Sequence, residues 1–395
     1  MKYDFTVIGA GIVGLSTAFK LTCEYPDCRV LVLEKENRVA AHQTGHNSGV
    51  IHSGVYYKPE SHRARNCVDG RHQLIEFCRR NNVKYNLCGK IIVATDEGEL
   101  PRLEEIFARG TENKIEGLSK IGGKEIRELE PYSAGIQALH VPCAGIVDYI
   151  GVCKALEKLI LHSNGRVEFN TRVNEINQKN GSVEIATSAE KFETGFLINC
   201  AGLYSDHVAR SAGIQSSIQI VPFRGEYFEL IPEINHWVNG LIYPLPNPAF
   251  PFLGVHFTRM VSGRVECGPN AVFAFKREGY DKTSFDLNET IETFNFPGFW
   301  KLAGRHWKMG MEEYYRSFSK KAFVKELQKL IPKLRLEHLK KSPAGVRAMA
   351  LNTEGEILDD FYFEKTGQAV HVLNAPSPAA TAALAIGDEI IRQIS

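Results

Sequence analysis

Hydrophobic positions along the chain follow two different periods. Residues 3–8 (YDFTVI) form a short apolar run, and residues 11–25 then repeat apolar side chains at helical spacing. A second apolar run follows at 29–33, so the first 34 residues read as strand, helix, strand. A further helix is predicted to begin near Asp148, with Ile150, Cys153, Leu156, Leu159 and Ile160 at helical spacing, and to stop at Asn164–Gly165. Residues 196–200 (FLINC) predict another buried strand that ends at Ala201–Gly202. Between 217 and 275 the pattern becomes that of strands broken by Pro and Gly, including LIYPLPNPAFPFLGVHFTRMV and a turn at Ser262–Gly263. The final third opens with charged helical sequence and closes with an Ala-rich helix after Pro378. The fold class predicted is α/β (α+β overall), with a parallel-sheet domain interrupted by an antiparallel-sheet domain flanked by helices. The first would comprise 1–85, 145–215 and 340–395; the second, 86–144 and 216–339.

Composition narrows the class of function more than the fold. A chain of 395 residues accommodates two domains, and 44% hydrophobic with 24% charged residues is ordinary for a globular protein. The net charge of +1 supplies no field for nucleic acid, so attraction for an acidic substrate must come from local cations. The nine cysteines are scattered without a C-x-x-C, which predicts reduced, mostly buried thiols and a reducing compartment. The uncharged run from Phe5 to Phe19 is too short to span a bilayer.

Gly9, Gly11 and Gly14 form G-x-G-x-x-G between the first strand and the first helix. Such glycines serve a tight turn, close approach of backbone to a pyrophosphate, and close helix–strand packing. The phosphates then sit at the positive end of the helix. Glu34 ends the second strand, where a carboxylate can accept hydrogen bonds from ribose hydroxyls and disfavours a 2′-phosphate. The fingerprint alone does not separate FAD from NAD. Its place at the N-terminus, the lack of a second fingerprint, the INCAG segment (Ile198 to Gly202) and the C-terminal NAPSPAATAALAIG favour FAD. In the last segment Ser377 is expected to cap a helix with Pro378 at its first position. Ala379 and Ala380 would let that helix end approach a flat ring. Its N-terminus would stabilise negative charge there.

The loop after Glu34 interleaves Gly45, Gly49 and Gly54 with His42, His46 and His52. Glycines allow backbone to lie against a ring system. The histidines lack the Cys or carboxylate partners of a metal site. Lys35, Thr44, Gly45, His46, Asn47, Ser48 and Gly49 are candidate cofactor contacts from this region, with Ala201, Gly202 and Gly345 from later segments.

HQTGHNSGVIHSGVYY (42–57), CGKIIVAT (88–95), PFRGEYF (222–228) and NAPSPAAT (374–381) together resemble the L-2-hydroxyglutarate oxidases and dehydrogenases, as do GPNAVFAFKREGY and SPAGVRA. These are flavoenzymes of the D-amino-acid-oxidase-like superfamily, and the resemblance runs along essentially the whole chain. It implies bound FAD and oxidation of L-2-hydroxyglutarate to 2-oxoglutarate, with electrons passed to a quinone, another respiratory carrier or O2. Eukaryotic members carry a mitochondrial leader, so the resemblance implies a bacterial, cytoplasmic member, with peripheral attachment at the inner membrane a second expectation. Other readings are an amino-acid or secondary-amine oxidase of the same superfamily, or a flavin-binding module without turnover.

Oxidising a 2-hydroxy acid removes a hydride from C2 while a base takes the hydroxyl proton. Neutral histidine suits that role, with His52 favoured and His256 the second candidate. Tyr56 and Tyr57 follow His52 and are candidate substrate contacts. A dicarboxylate calls for an arginine fork, and Arg224, Arg259 and Arg347 are the candidates, with Lys90 and Tyr243 as weaker ones. The stretch from Lys320 to Lys341 mixes cations with leucines; a lipid-binding face is one reading and a solvated surface helix the default.

Overall fold

The computed structural model describes residues 2–179, 181–246 and 254–394. Residues 247–253, the middle of the predicted strand-rich segment, lie outside the described residues.

The opening strand Lys2–Ile8, helix Ile12–Glu24 and strand Val30–Leu33 form as the periodicity predicts. The two strands pair in parallel, Phe5 opposite Val30 and Ile8 opposite Leu33. Strand Lys191–Asn199, which contains FLIN, lies parallel to the other side of Lys2–Ile8, and Gly165–Glu168 lies parallel beyond Val30–Leu33. Ala369–Asn374 pairs in parallel with the end of Lys191–Asn199, while the hairpin Val173–Lys179 and Ser182–Thr187 pairs antiparallel with its start. This first sheet has eight strands.

Helices cover it because their apolar faces have nowhere else to go. Helix Tyr149–His162 is capped by Asp148, whose carboxylate accepts from the Gly151 amide at 2.9 Å, and it buries Val152, Cys153, Leu156 and Ile160. Helix His62–Arg80 meets the C-terminal helix Ala379–Ile394 at Gly70, where a Cβ would stand 2.5 Å from the Ala382 Cα. That contact needs glycine. One core of Val7, Leu15, Leu21, Val32, Leu156 and Ile386 joins sheet and helices.

The second sheet has nine strands and is mostly antiparallel. Its long members are Gln219–Leu230 and Leu339–Leu351, paired antiparallel from Gln219 opposite Leu351 to Leu230 opposite Leu339. Strand Lys90–Ala94 sits inside it, between Gln137–Val141 and Leu241–Pro244. Strand Leu339–Leu351 belongs wholly to this sheet, whereas the sequence division at 340 put nearly all of it with the first. Its register against Gln219–Leu230 is what decides its place, and a sequence shows no partner. Helix Lys320–Leu327 buries Phe323, Val324 and Leu327 against this sheet, so the leucine stripe of 320–341 is core rather than a free face.

Candidate active site

A single cavity of about 1020 Å³ runs from the glycine turn of the first sheet to side chains of the second. That is the upper end of the usual range for ligand sites, more room than a five-carbon acid alone needs.

At one end the walls are mostly backbone. Gly9 has φ +104°, and a Cβ there would lie 2.5 Å from the Cys200 carbonyl oxygen. Gly14 does not line the cavity; its missing Cβ would lie 2.0 Å from the Gly9 oxygen, so it seats the helix on the turn. Gly11 starts helix Ile12–Glu24 with no side-chain cap and no acidic residue in the first turn. An uncapped, unneutralised helix start suits an anion. Thr44 reaches this start, its hydroxyl accepting from the Ile12 amide at 3.1 Å. Glu34 is buried; its carboxylate accepts from the Ala10 amide at 2.8 Å and the Glu36 amide at 2.9 Å, and it lines the cavity.

The following loop folds against the second sheet. His46 Nδ1 is 3.1 Å from the Ala344 carbonyl, its ring stacks on Tyr280 at 4.2 Å, and burial lowers its pKa. Gly345 fits beneath it because a Cβ would stand 2.3 Å from the His46 oxygen. His42 contacts Lys35 at 2.9 Å and Glu278 at 3.0 Å. Lys35 itself pairs with Glu36 and Glu278. Burial opposes the charged form of His42, but the Glu278 and Glu36 carboxylates together outweigh it and raise the pKa. These groups form an ion-pair network around the Lys35 ammonium.

Lys35, Asn47, Ser48, Ala201 and Gly202 also line the cavity, whereas Gly45 and Gly49 do not. Gly45 instead permits a close turn, since a Cβ would meet the Ala40 oxygen at 2.2 Å. Ala379 and Ala380 line the cavity at the start of the C-terminal helix. Ser377 does not cap that helix. The helix begins at Ala379, with the Pro378 carbonyl accepting from the Ala382 amide at 3.0 Å, so Ser377 stands one residue too early. Its hydroxyl lies 3.3 Å from His52 Nε2. The absent side chains, the bare helix start and the small residues fit a flat dinucleotide.

At the other end side chains make the walls. His52, Tyr56, Tyr57, His256 and Arg347 all line the cavity. The His256 ring stacks on Tyr243 at 3.8 Å, and its Nδ1 is 2.8 Å from the Gly254 carbonyl. With that nitrogen carrying the proton, Nε2 is the basic atom. Burial first, then the positive charge of Lys90, pulls the pKa values of both His52 and His256 to about 3. Both rings are therefore neutral at working pH. The Tyr56 ring lines the wall, while its hydroxyl is buried away from the cavity without a partner among the described residues. Arg347 hydrogen-bonds Tyr227, another lining residue, and its charge is felt at His256.

The other two predicted arginines are elsewhere. Arg224 is buried against Glu226, 3.1 Å away, and donates to the Asp281 carbonyl at 3.0 Å. Arg259 donates to the carbonyls of Val238 and Asn235 at 2.8 and 3.2 Å. Neither lines the cavity, because alternate residues of a strand face opposite ways. Sequence reasoning missed Arg63, which lines the cavity, donates to the Ser377 carbonyl at 2.6 Å and lies 4.5 Å over the Tyr57 ring. It sits in the first turn of a helix with no motif around it. Tyr227 was missed too, although it stands inside the PFRGEYF segment already singled out.

Known proteins match this arrangement along its length. The family model for FAD dependent oxidoreductases covers residues 4–393. A protein of Indibacter alkaliphilus named L-2-hydroxyglutarate dehydrogenase is 48% identical over 391 residues, spanning 99% of this chain and 98% of its own. One of the same name from Escherichia coli strain K12 is 44% identical, spanning 99% and 93%. The mitochondrial one of Bos taurus is 41% identical, spanning 100% and 89%. Among solved structures, the L-alpha-glycerophosphate oxidase of Mycoplasma pneumoniae with FAD bound superposes with a TM-score of 0.83 at 22% identity, over 100% of this chain and 95% of that one. At that identity the likeness is one of fold.

Proposed function

The chain belongs to the FAD-dependent oxidoreductase family, and from that premise we propose that it oxidises L-2-hydroxyglutarate to 2-oxoglutarate. The observation that carries this reading is the join within one cavity. A dinucleotide cradle runs directly into a compartment lined by two neutral histidines, tyrosine rings and an arginine. The names of full-length relatives supply the substrate.

Bound FAD supplies the acceptor for the C2 hydride. The protein's own work is to orient the acid and take its hydroxyl proton. Arg347 offers a planar fork to one carboxylate, held in place through Tyr227. His52 takes the proton. It stands on the loop that leaves the cradle and against Ser377, which precedes the C-terminal helix, so two cavity-lining segments fix it beside the cofactor end. His256, rigid on Tyr243, lies on the second sheet and forms the far wall. A histidine that is neutral when the substrate arrives can accept a proton at once, and the incoming carboxylates raise its basicity.

The electrons leave, in this reading, to a membrane quinone. No helix among the described residues is long and apolar enough to cross a membrane. Helix Pro297–Phe318 instead exposes Trp300, Trp307, Met311, Tyr315 and Phe318, flanked by exposed Lys301, Arg305 and Lys308. Apolar rings beside cations fit the surface of an anionic bilayer. Sedimentation with anionic vesicles is expected for the wild type and is lost in Trp300→Ser/Trp307→Ser; equal sedimentation of both would remove this face from the reading.

Steady-state turnover with a quinone analogue tests the substrate. L-2-Hydroxyglutarate should give stoichiometric 2-oxoglutarate, while L-lactate and glycine should give no turnover. Turnover of glycine instead would replace the hydroxy acid by an amine.

A further inference from the structure

Beyond its pull on the two histidines, Lys90 has no role in the chemistry above, yet it is a buried charge in an unusual setting. It begins strand Lys90–Ala94 in the interior of the second sheet and is only 2% exposed. Among the described residues its ammonium has no carboxylate and no hydrogen-bond acceptor. Its neighbours are two aromatic faces, Tyr243 at 4.1 Å and Tyr56 at 5.2 Å. Both tyrosines line the cavity, and Lys90 lies behind them.

An ammonium removed from water without a counter-ion is costly, and burial pulls this one to a pKa of about 8. A methionine would fill the same space without that penalty. The two rings recover part of it by cation–π attraction. The charge is felt through that wall, since it lowers the basicity of both His52 and His256. Ammonium and rings thus back the cavity wall with a positive charge that has no carboxylate among the described residues.

We propose that Lys90 is a positioning residue for the second carboxylate of the substrate. Acting across the Tyr56 and Tyr243 rings, it makes the cavity select a dianionic 2-hydroxy acid over one with a neutral tail. The inference rests on the substrate reading given above. It adds a division of labour in which Arg347 and Tyr227 hold one carboxylate and the field of Lys90, across the Tyr56 and Tyr243 rings, draws the other.

The groups facing Lys90 leave it as the one that titrates near pH 8. Burial raises Cys67, on helix His62–Arg80, to about 12, and it raises Cys143 as well. Tyr56 and Tyr243 are raised by burial, and His52 and His256 lie near 3. Lysine loses its charge as pH rises through its pKa, so the preference for a dianion should be full below about 8 and fade above it.

The test uses the FAD-loaded enzyme and two unreactive probes, glutarate and butyrate, titrated by the change each causes in the oxidised flavin spectrum. In Lys90→Met the affinity for glutarate should fall on the order of tenfold or more, with butyrate within about twofold. The melting temperature of Lys90→Met should equal or exceed that of the wild type, because an uncompensated buried charge is gone. A purely structural lysine would lower it. In the wild type the glutarate-to-butyrate preference should decline as pH passes about 8. That decline decides the matter even if Lys90→Met fails to load flavin. An unchanged preference in the variant, equal losses for both probes, or a pH-independent wild-type preference would each overturn the proposal. Failure of L-2-hydroxyglutarate to reduce the wild-type flavin would overturn the substrate reading instead, so the two failures are distinct.

Discussion

The cradle end and the chemical end of the cavity are built on opposite plans. At the cradle, what matters is the absence of side chains: Gly9 and Gly14 each exclude a Cβ that would stand 2.5 and 2.0 Å from a carbonyl oxygen. Both glycines fall within one strand–helix–strand unit, although the carbonyl facing Gly9 is that of Cys200. At the chemical end, side chains carry everything and come from distant segments, with His52 and Tyr56 on a loop of the first part, Tyr227, His256 and Arg347 on three strands of the second sheet. A site made of local backbone geometry is robust to what the rest of the chain does. A site made of side chains depends on strand register, since a slip of one residue turns every side chain to the other face.

Substitutions at the two ends should therefore fail differently. The largest effect is expected for Gly14→Val, where the new side chain must displace the Gly9 carbonyl. Stability should fall by about 3 kcal/mol and the protein should purify without flavin, as read by the absorbance near the visible flavin band and by thermal melting. A yellow, stable variant would contradict the packing role given to this glycine. Next comes His52→Ala, which should keep its flavin but slow flavin reduction roughly 10²-fold in rapid mixing. Near-normal reduction would move the base to His256.

A paired comparison separates the arginines. Arg347→Met should raise KM for the hydroxy acid about tenfold or more with little change in melting, since its fork faces the cavity. Arg224→Met should do the reverse, lowering the melting temperature through the stranded Glu226 while KM stays within about twofold. Equal KM effects in both would mean that the cavity, as described, does not confine the substrate.

The last comparison concerns pH. His52 and His256 stay neutral in the folded protein down to about pH 3 but take protons below about 6.5 when unfolded. Their folded pKa values are depressed, so the stability they contribute is present above 6.5 and is lost as pH falls from there toward 3. Melting of the flavin-free protein should decline over that window, and less steeply in the His52→Ala/His256→Phe double variant. Parallel declines would show that other groups dominate.

The same contrast explains what the sequence made legible. The βαβ unit, the helix capped by Asp148 and the C-terminal helix were readable because their signals are local: period, cap and breaker. The glycines and Glu34 were readable for the same reason. Of the three predicted arginines only Arg347 lines the cavity, and nothing local distinguishes it from Arg224, because burial depends on the partner strand. Arg63 carried no signal at all, its position depending on how helix His62–Arg80 docks on the segment before Ala379. Ser377 shows a milder limit: a residue with the right chemistry for a cap stands beside a proline that takes the cap position itself, the helix beginning at Ala379, one position later than expected.

The most direct test of the central claim, that cradle and chemical compartment act as one site on one stereoisomer, is anaerobic mixing of the flavin-loaded protein with each enantiomer of 2-hydroxyglutarate. Rapid bleaching of the oxidised flavin band by the L isomer, with 2-oxoglutarate formed in equal amount and no bleaching by the D isomer, is the predicted result. A flavin that stays oxidised with both, or that bleaches equally with both, would contradict it.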